Sequence, residues 1–181
     1  MSANFIFRKK AVATLSGQIG VYVLCDLDNV PVYVGQSKDG IRQRVQRHLT
    51  SARSDVIDVW EIAFVWEYPV GERTELDPLE AALFHNFNSN CRLMNGTIPL
   101  KPPHELPIPE PANIVQVMTD HEISERRNTE QRLPRQALHY AQLVSHFVAV
   151  KNSDQIARAM DAHFERLTKY HAMMLASSAP E

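Results

Sequence analysis

GVYVLC (Gly20–Cys25) is followed, after the polar segment DLDN at residues 26–29, by VPVYVG at residues 30–35. Two apolar runs of strand length around a polar, turn-rich segment are typical of a β-hairpin. The hairpin carries one tyrosine on each strand, Tyr22 and Tyr33. Pro31 indicates that the second strand begins there or lies at a sheet edge, because proline cannot donate a hydrogen bond to a neighbouring strand.

The next segment, Ile41–Thr50, has a helical pattern. Apolar residues recur every fourth position at Ile41, Val45 and Leu49, which predicts an amphipathic helix. Arg44 and His48 lie one turn apart beside this stripe, at the rim of the predicted buried face. A side chain at such a rim is held by packing and still reaches solvent.

A third strand and a second helix follow. Apolar and aromatic residues alternate with a period of two over residues 59–68, which predicts a strand. After a loop, Asp77 is predicted to be the N-cap of a helix, Pro78 its first residue, and Glu80 part of its first turn. The order β-β-α-β-α predicts an α/β fold, with a small three-stranded sheet flanked by helices.

A proline-rich stretch divides the chain. Six of the eleven prolines lie within residues 99–111, and such a segment favours extended structure. We therefore expect a first domain at residues 1–98, a linker at 99–111 and a helical C-terminal region at 112–181. Two helical patterns, at residues 133–150 and 154–176, predict a helical hairpin there.

Composition limits the class of protein. With 181 residues, 44% of them hydrophobic, and a net charge of −2, the chain has a globular composition. It contains no apolar run long enough to cross a membrane, and its first ten residues place charge after a very short apolar stretch, unlike a secretory signal. Cys25 and Cys91 form no CxxC pattern, which argues against a disulfide framework and structural zinc. A cytoplasmic protein is expected.

Positive charge is concentrated in one region. Residues 38–53 contain five basic side chains and one acidic side chain, Asp39. Such a local patch suits phosphate binding even in an acidic protein. A solvated helix face is the alternative explanation. The predicted nucleic-acid-binding residues are Lys38, Arg42, Arg47 and Arg53.

Taken together and in order, these residues resemble the motif of the GIY-YIG nuclease superfamily over about the first hundred residues. The matching side chains are Tyr22, Tyr33, Arg44, His48, Glu80 and Asn95. The resemblance implies the family's small α/β fold and a metal-dependent endonuclease that hydrolyses phosphodiester bonds in DNA. It also implies that these six residues are catalytic.

The resemblance implies a role for each side chain. Tyr22, Tyr33 and His48 would orient the attacking water and take its proton, although a tyrosine needs nearby positive charge to act as a base. Arg44 would stabilise the growing negative charge of the phosphate, since a guanidinium stays charged and offers forked donors. Aromatic strand residues that only pack a core are the alternative for the two tyrosines.

Glu80 is the predicted metal ligand, supported by Asn95. A single carboxylate suits Mg²⁺, which keeps most of its waters, with Mn²⁺ as the alternative cation. A capping box is the competing explanation, in which Glu80 bonds back to the backbone amide of Asp77. Glu75 is a reserve ligand. Asn95 precedes Gly96, and this pair is also an ordinary turn signal.

Departures from the family pattern leave alternatives open. The interval from Gly35 to Arg44 is one residue longer than usual, so Arg42 is a second candidate for the functional arginine. Some members have a lysine after the second glycine, where this chain has Gln36, and Lys38 is a substitute. A catalytically inactive nucleic-acid-binding module is the first alternative function. An oligomerisation or adaptor protein, with a homodimer formed through the C-terminal helices, is the second.

Overall fold

The computed structural model describes residues 3–50, 56–102, 104, 106–150 and 153–177. The helices and strands are α1 (Ala3–Ala13), β1 (Gly20–Cys25), β2 (Pro31–Ser37), α2 (Ile41–Thr50), β3 (Phe64–Pro69), α3 (Leu76–Asn90), β4 (Asn113–Gln116), α4 (Asp120–Arg127), α5 (Thr129–Ala149) and α6 (Asp154–Ser177). Within the described residues, none of the helices has the length and apolarity that crossing a membrane requires.

The predicted hairpin and the predicted helix at Ile41–Thr50 are confirmed. Strands β1 and β2 pair antiparallel, with Tyr22 opposite Gly35. The Asp26 carboxylate accepts the backbone N–H of Val30 at 3.0 Å and closes the turn. Asn29 has a positive φ of 59°, a conformation that asparagine tolerates better than most residues. Helix α2 spans the predicted residues.

The sheet has four strands, which corrects the predicted three. Their order is β2-β1-β3-β4, so Pro31 both begins its strand and lies on an edge strand, β2. Strand β4 pairs antiparallel with β3, and Val115 lies opposite Val65. The four residues of β4 follow the proline-rich segment, and a strand of this length is too short to show a period of two. The sheet therefore contains residues from both sides of that segment.

Two other predicted boundaries are wrong. Strand β3 begins at Phe64, because the alternating residues before it form a turn in which the Glu61 amide bonds to the Asp58 carbonyl at 2.9 Å. Helix α3 begins at Leu76 with Glu75 at the N-cap, after a short 3₁₀ turn, so Asp77 is not its cap. The 3₁₀ turn runs directly into the helix and moves its start upstream.

The core lies on both faces of the sheet. All six residues of β1 are buried. Tyr22 and Leu24 pack with residues of α1, α2 and α6, whereas Val21 and Val23 pack with α3. A strand buried on both faces is held in one register by packing, and this fixes the direction of the Tyr22 side chain.

The C-terminal helices α5 and α6 occupy the region in which two helices were predicted, and they pack against each other. The guanidinium of Arg132 is 1% exposed and donates to Asp28 at 2.6 Å and to Glu61 at 2.7 Å. Arg166, on α6, donates to the carbonyl of Pro31 at 2.9 Å. These bonds join both helices to the hairpin and to the segment before β3.

Candidate functional site

Three aromatic side chains from three elements form the centre of the candidate site. Tyr22 of β1, Tyr33 of β2 and His48 of α2 have ring centroids 5.5 to 6.3 Å apart. The Tyr22 hydroxyl and His48 Nε2 are hydrogen-bonded at 2.8 Å. Gly35 makes room for this arrangement, because a Cβ there would lie 2.6 Å from the Tyr22 hydroxyl. A side chain larger than hydrogen at position 35 would push Tyr22 away from His48.

Arg44 lies against the tyrosines. Its hydrogen-bonding interaction with the Tyr22 hydroxyl is the main cause that raises the pKa of Arg44, and Tyr33 adds to it. Its Nε atom is buried and has no hydrogen-bond partner among the described residues. The Arg42 Nε instead donates to the carbonyl of Leu15 at 2.7 Å. Of the two candidate arginines, Arg44 is therefore the one that contacts the tyrosine pair.

Burial controls the protonation of this cluster. It raises the pKa of Tyr22 and of Tyr33 by more than the positive charge of Arg44 lowers them. Both hydroxyls are therefore protonated at neutral pH. Burial first, and then the charges of Arg44 and Arg47, lowers the pKa of His48 from 6.5 to about 4. His48 is therefore neutral at pH 7 and can accept a proton. The sequence had suggested this role for the two tyrosines as well as for His48.

Glu80 faces the same region from α3. Its Oε2 accepts a hydrogen bond from Gln36 Nε2 at 2.8 Å, and the same nitrogen donates to Asp77 Oδ1 at 2.7 Å. Because α3 starts before Asp77, the capping-box explanation of Glu80 is wrong. Burial raises the pKa of Glu80, and the hydrogen bonding from Gln36 partly offsets this effect.

The donor set fits a hydrated divalent cation. Two carboxylates, of Asp77 and Glu80, approach one amide nitrogen, and the Oε1 atom of Gln36 is buried without a hydrogen-bond partner among the described residues. Among the described residues, no cluster of three or more His, Cys, Asp or Glu side chains can enclose a metal. Mg²⁺ and Mn²⁺ suit such a site because they accept few carboxylates and keep waters. The reserve ligand Glu75 is exposed and accepts a bond from the Gly71 amide at 3.3 Å.

Asn95 holds an edge strand. Its Oδ1 accepts from the Val34 N–H at 3.1 Å, and its Nδ2 donates to the Val34 carbonyl at 2.6 Å. Both polar atoms of the amide thus bond to β2, between Tyr33 and Gly35. The expectation that Asn95 positions the glutamate or the phosphate has no such contact in its favour. The structure instead places it where it fixes the strand that carries Tyr33.

Three of the four predicted nucleic-acid-binding residues lie within the described part of the chain. Lys38, Arg42 and Arg47 are exposed on or beside α2. Arg53 lies outside the described residues. Lys38 comes directly after β2, which carries Tyr33, and Arg42 and Arg47 lie on α2, which carries His48. Exposed basic side chains at these positions can contact a phosphate backbone.

Four of the six candidate catalytic residues line a cleft of about 610 Å³, and Arg44 is not among them. Its lining includes Tyr33, His48, Glu80 and Asn95. Tyr22 is fully buried behind them, so its hydroxyl reaches the cleft only through its neighbours. Another part of the lining, called here the second wall, comes from α5, the start of α6 and the residue before it, and includes His146, Ser153, Gln155 and Ile156.

No protein-family model and no curated protein matches the chain. Among solved structures it is similar to three point mutants of the GIY-YIG N-terminal endonuclease domain of UvrC from Thermotoga maritima, each bound to its catalytic divalent cation. The identity is 24% for two of them and 22% for the third, with a TM-score of 0.39. Each match covers 49% of this chain and 93% of the other. The family named in these matches is the one that the sequence motif resembles.

Sequence reasoning missed the second wall of the cleft. His146 and Gln155 follow Asn95 by some fifty residues or more and belong to no motif. Gln36 was noted only because it replaces a lysine of some family members. Its position one residue after Gly35 was the available signal, since that position lies on β2, the strand that carries Tyr33.

Proposed function

We propose that this chain is a divalent-metal-dependent endonuclease that hydrolyses phosphodiester bonds in DNA. The observation that carries the proposal is the convergence of Tyr33, His48 and Glu80 on one cleft, with Arg44 against the tyrosine hydroxyls. Phosphodiester hydrolysis needs an activated water, a group that stabilises negative charge and a proton for the leaving oxygen. These side chains can meet all three needs.

His48 accepts the proton of the attacking water in this proposal. In the tautomer whose Nε2–H donates to the Tyr22 oxygen, Nδ1 is unprotonated and available as the base. Tyr22 is a positioning residue, because it is buried and holds the imidazole. Tyr33 lines the cleft, and its hydroxyl orients the water. As the water oxygen bonds to phosphorus, the bond from phosphorus to the leaving oxygen breaks, and that oxygen takes up the proton that His48 removed from the water, passed on through solvent.

Arg44 stabilises the negative charge that grows on the phosphate during this step. Its guanidinium stays charged at any pH at which the protein is folded, and its forked donors match phosphate oxygens. Lys38, Arg42 and Arg47 contact the backbone on either side of the scissile bond. These contacts bind DNA without regard to sequence and weaken as salt increases.

Glu80 is the carboxylate proposed to hold Mg²⁺ or Mn²⁺, with Asp77 beside it. A cation bound there would supply Lewis-acid stabilisation of the phosphate oxygens. The Nε2 atom of Gln36 donates to both carboxylates. A turn of that amide would direct its Oε1, which has no partner among the described residues, towards the carboxylates.

Nicking of supercoiled plasmid tests the proposal. The parent protein, with Mg²⁺ or Mn²⁺ at low and moderate salt, should nick the plasmid, and chelation should stop the reaction. Arg44→Ala and Glu80→Gln should each reduce the rate by roughly a hundredfold or more, the usual cost of removing one group that stabilises a transition state. Arg92→Ala and Glu125→Gln are matched controls on exposed side chains, and their rates should equal that of the parent. Equal nicking by the Glu80→Gln variant would show that the metal site is elsewhere.

One observation favours the alternative of a nucleic-acid-binding module without activity. The Oε2 atom of Glu80 already accepts a hydrogen bond from Gln36, so the carboxylate is satisfied without a metal. Retained DNA binding without nicking in either cation would support this alternative. A homodimer formed through the C-terminal helices and a cytoplasmic location stay predictions, and sedimentation of the purified protein tests the first.

A further inference from the structure

The cleft has two walls of different origin. One wall consists of the candidate catalytic residues on β2, α2 and α3, and includes Tyr33 and Glu80. The other comes from α5 and the beginning of α6 and includes His146 and Gln155. The nuclease-like half of the chain therefore does not present its candidate site on an open surface.

The second wall is fixed in place by bonds to the first half of the chain. Gln155 Nε2 lies 3.4 Å from Thr97 Oγ1, and a Cβ at Gly96 would lie only 3.0 Å from the Cβ of Gln155. Further along α6, Arg166 donates to the carbonyls of Arg92 at 2.6 Å and Pro31 at 2.9 Å. Moving α6 away would break both of these hydrogen bonds of Arg166, a residue that is only 4% exposed. The wall is therefore a fixed part of the site.

We infer that the DNA enters this cleft as an unpaired strand, and that His146 and Gln155 select it against a duplex. The inference rests on the proposed function and names its substrate class. A cleft of about 610 Å³ is the size of a site for one small ligand. In a duplex the second strand lies only a groove width away, about 6 to 12 Å, and has to occupy the space of the second wall.

An unpaired strand meets no such obstacle. Its bases turn independently of its phosphates, so one phosphate can reach Tyr33 and His48 while the adjacent base lies against the second wall. The His146 ring offers a face on which a base stacks, and the Gln155 amide offers a donor and an acceptor to a base edge. Neither contact requires a particular base. Selection would then depend on strandedness, with little dependence on sequence.

Binding without cleavage tests the inference first. A fluorescein-labelled single strand of about 15 nucleotides and its matched duplex are titrated with the parent protein in chelator, by fluorescence anisotropy. The single strand should bind at least about tenfold more tightly. His146→Ala and Gln155→Ala should each weaken single-strand binding by about fivefold or more, near the lower end of what base stacking contributes, and leave duplex binding unchanged. His146→Gln, which keeps a polar side chain without the ring, should resemble His146→Ala.

Two variants on the same helices are controls. His171→Ala and Gln142→Ala remove exposed side chains that do not line the cleft, and both should bind DNA as the parent does. Thermal unfolding of each variant verifies that it is folded. Equal affinity of the parent for duplex and single strand, or unchanged single-strand binding in both cleft variants, would overturn the inference.

Cleavage of the same two oligonucleotides with Mg²⁺ separates this inference from the proposed function. Faster cleavage of the single strand supports both. Equal cleavage of the duplex overturns the inference and leaves the endonuclease intact. Selective binding of the single strand without cleavage in Mg²⁺ or Mn²⁺ rejects the endonuclease and keeps strand selection. Failure to bind or cut either DNA overturns both.

Discussion

Replacing Asn95 with alanine tests whether this residue acts through the edge strand β2 or on the substrate. The side chain is 7% exposed and makes two hydrogen bonds to the backbone of Val34, at 3.1 and 2.6 Å. Its removal leaves a buried N–H and a buried carbonyl on β2 without partners. Because an unsatisfied buried polar group costs about 1 to 3 kcal/mol, we expect a loss of about 2 to 4 kcal/mol in the free energy of unfolding.

Two measurements on the Asn95→Ala variant follow from this magnitude. The midpoint of thermal unfolding should fall by about 5 to 15 °C, given the usual relation between free energy and midpoint for a chain of this size. The cleavage rate should fall as well, because the weakened strand carries Tyr33. The matched control is Asn86→Ala on the exposed side of α3, which should change the free energy of unfolding by less than about 0.5 kcal/mol.

The opposite pattern would refute this reasoning. If Asn95→Ala unfolds at the temperature of the parent and yet loses its cleavage activity, the amide acts directly on the glutamate or the phosphate. The role that the sequence resemblance implied for Asn95 would then be correct. If neither stability nor activity changes, the two hydrogen bonds to Val34 contribute nothing that water cannot replace.

Three further predictions concern charged and titrating groups. Arg132→Ala should lower the free energy of unfolding in urea by about 3 to 5 kcal/mol because it removes one of the two arginines that pair with buried Glu61 and leaves it with Arg135, whereas the exposed control Arg92→Ala should change it by less than about 1 kcal/mol. The His48 imidazole should titrate near pH 4 by NMR rather than near 6.5. The lowered pKa of His48 stabilises the folded state fully above pH 6.5, because the unfolded state binds the proton first as pH falls. This stabilisation is lost towards pH 4, so a His48→Gln variant should lose less free energy of unfolding over that interval. Glu80→Gln should abolish the heat of Mg²⁺ binding measured by calorimetry, and an unchanged titration would place the cation elsewhere.

Local patterns predicted the part of the fold that carries most of the candidate site. The β1–β2 hairpin was predictable because two apolar runs surround a turn in which Asp26 and Asn29 have recognisable roles. Helix α2 was predictable because its apolar stripe repeats every fourth residue, and that stripe also placed Arg44 and His48 on one side. The hairpin signal lies within residues 20–35 and the helix signal within residues 41–50, so no knowledge of distant contacts was needed.

Other features depend on contacts that no local pattern encodes. Strand β4 is four residues long and is stabilised by pairing with β3, so its sequence alone does not distinguish it from a loop. The environment of Glu80 depends on Gln36, which is 44 residues away. From the sequence, a capping box was the simplest explanation of Asp77 and Glu80. Only the packing of α3 against β2 brings both carboxylates to one amide, that of Gln36.

The second wall of the cleft shows how a buried charge can link distant parts of a chain. Arg132 is almost fully buried, and its cost of desolvation is offset while the carboxylates of Asp28 and Glu61 accept its hydrogen bonds. Those carboxylates are 104 and 71 residues away, and each also pairs with a second arginine, Asp28 with Arg127 and Glu61 with Arg135. The C-terminal helices and the hairpin therefore stabilise each other at this cluster. Because α5 also carries His146, the same cluster fixes one wall of the cleft, so a residue far from the candidate catalytic side chains contributes to the shape of the site.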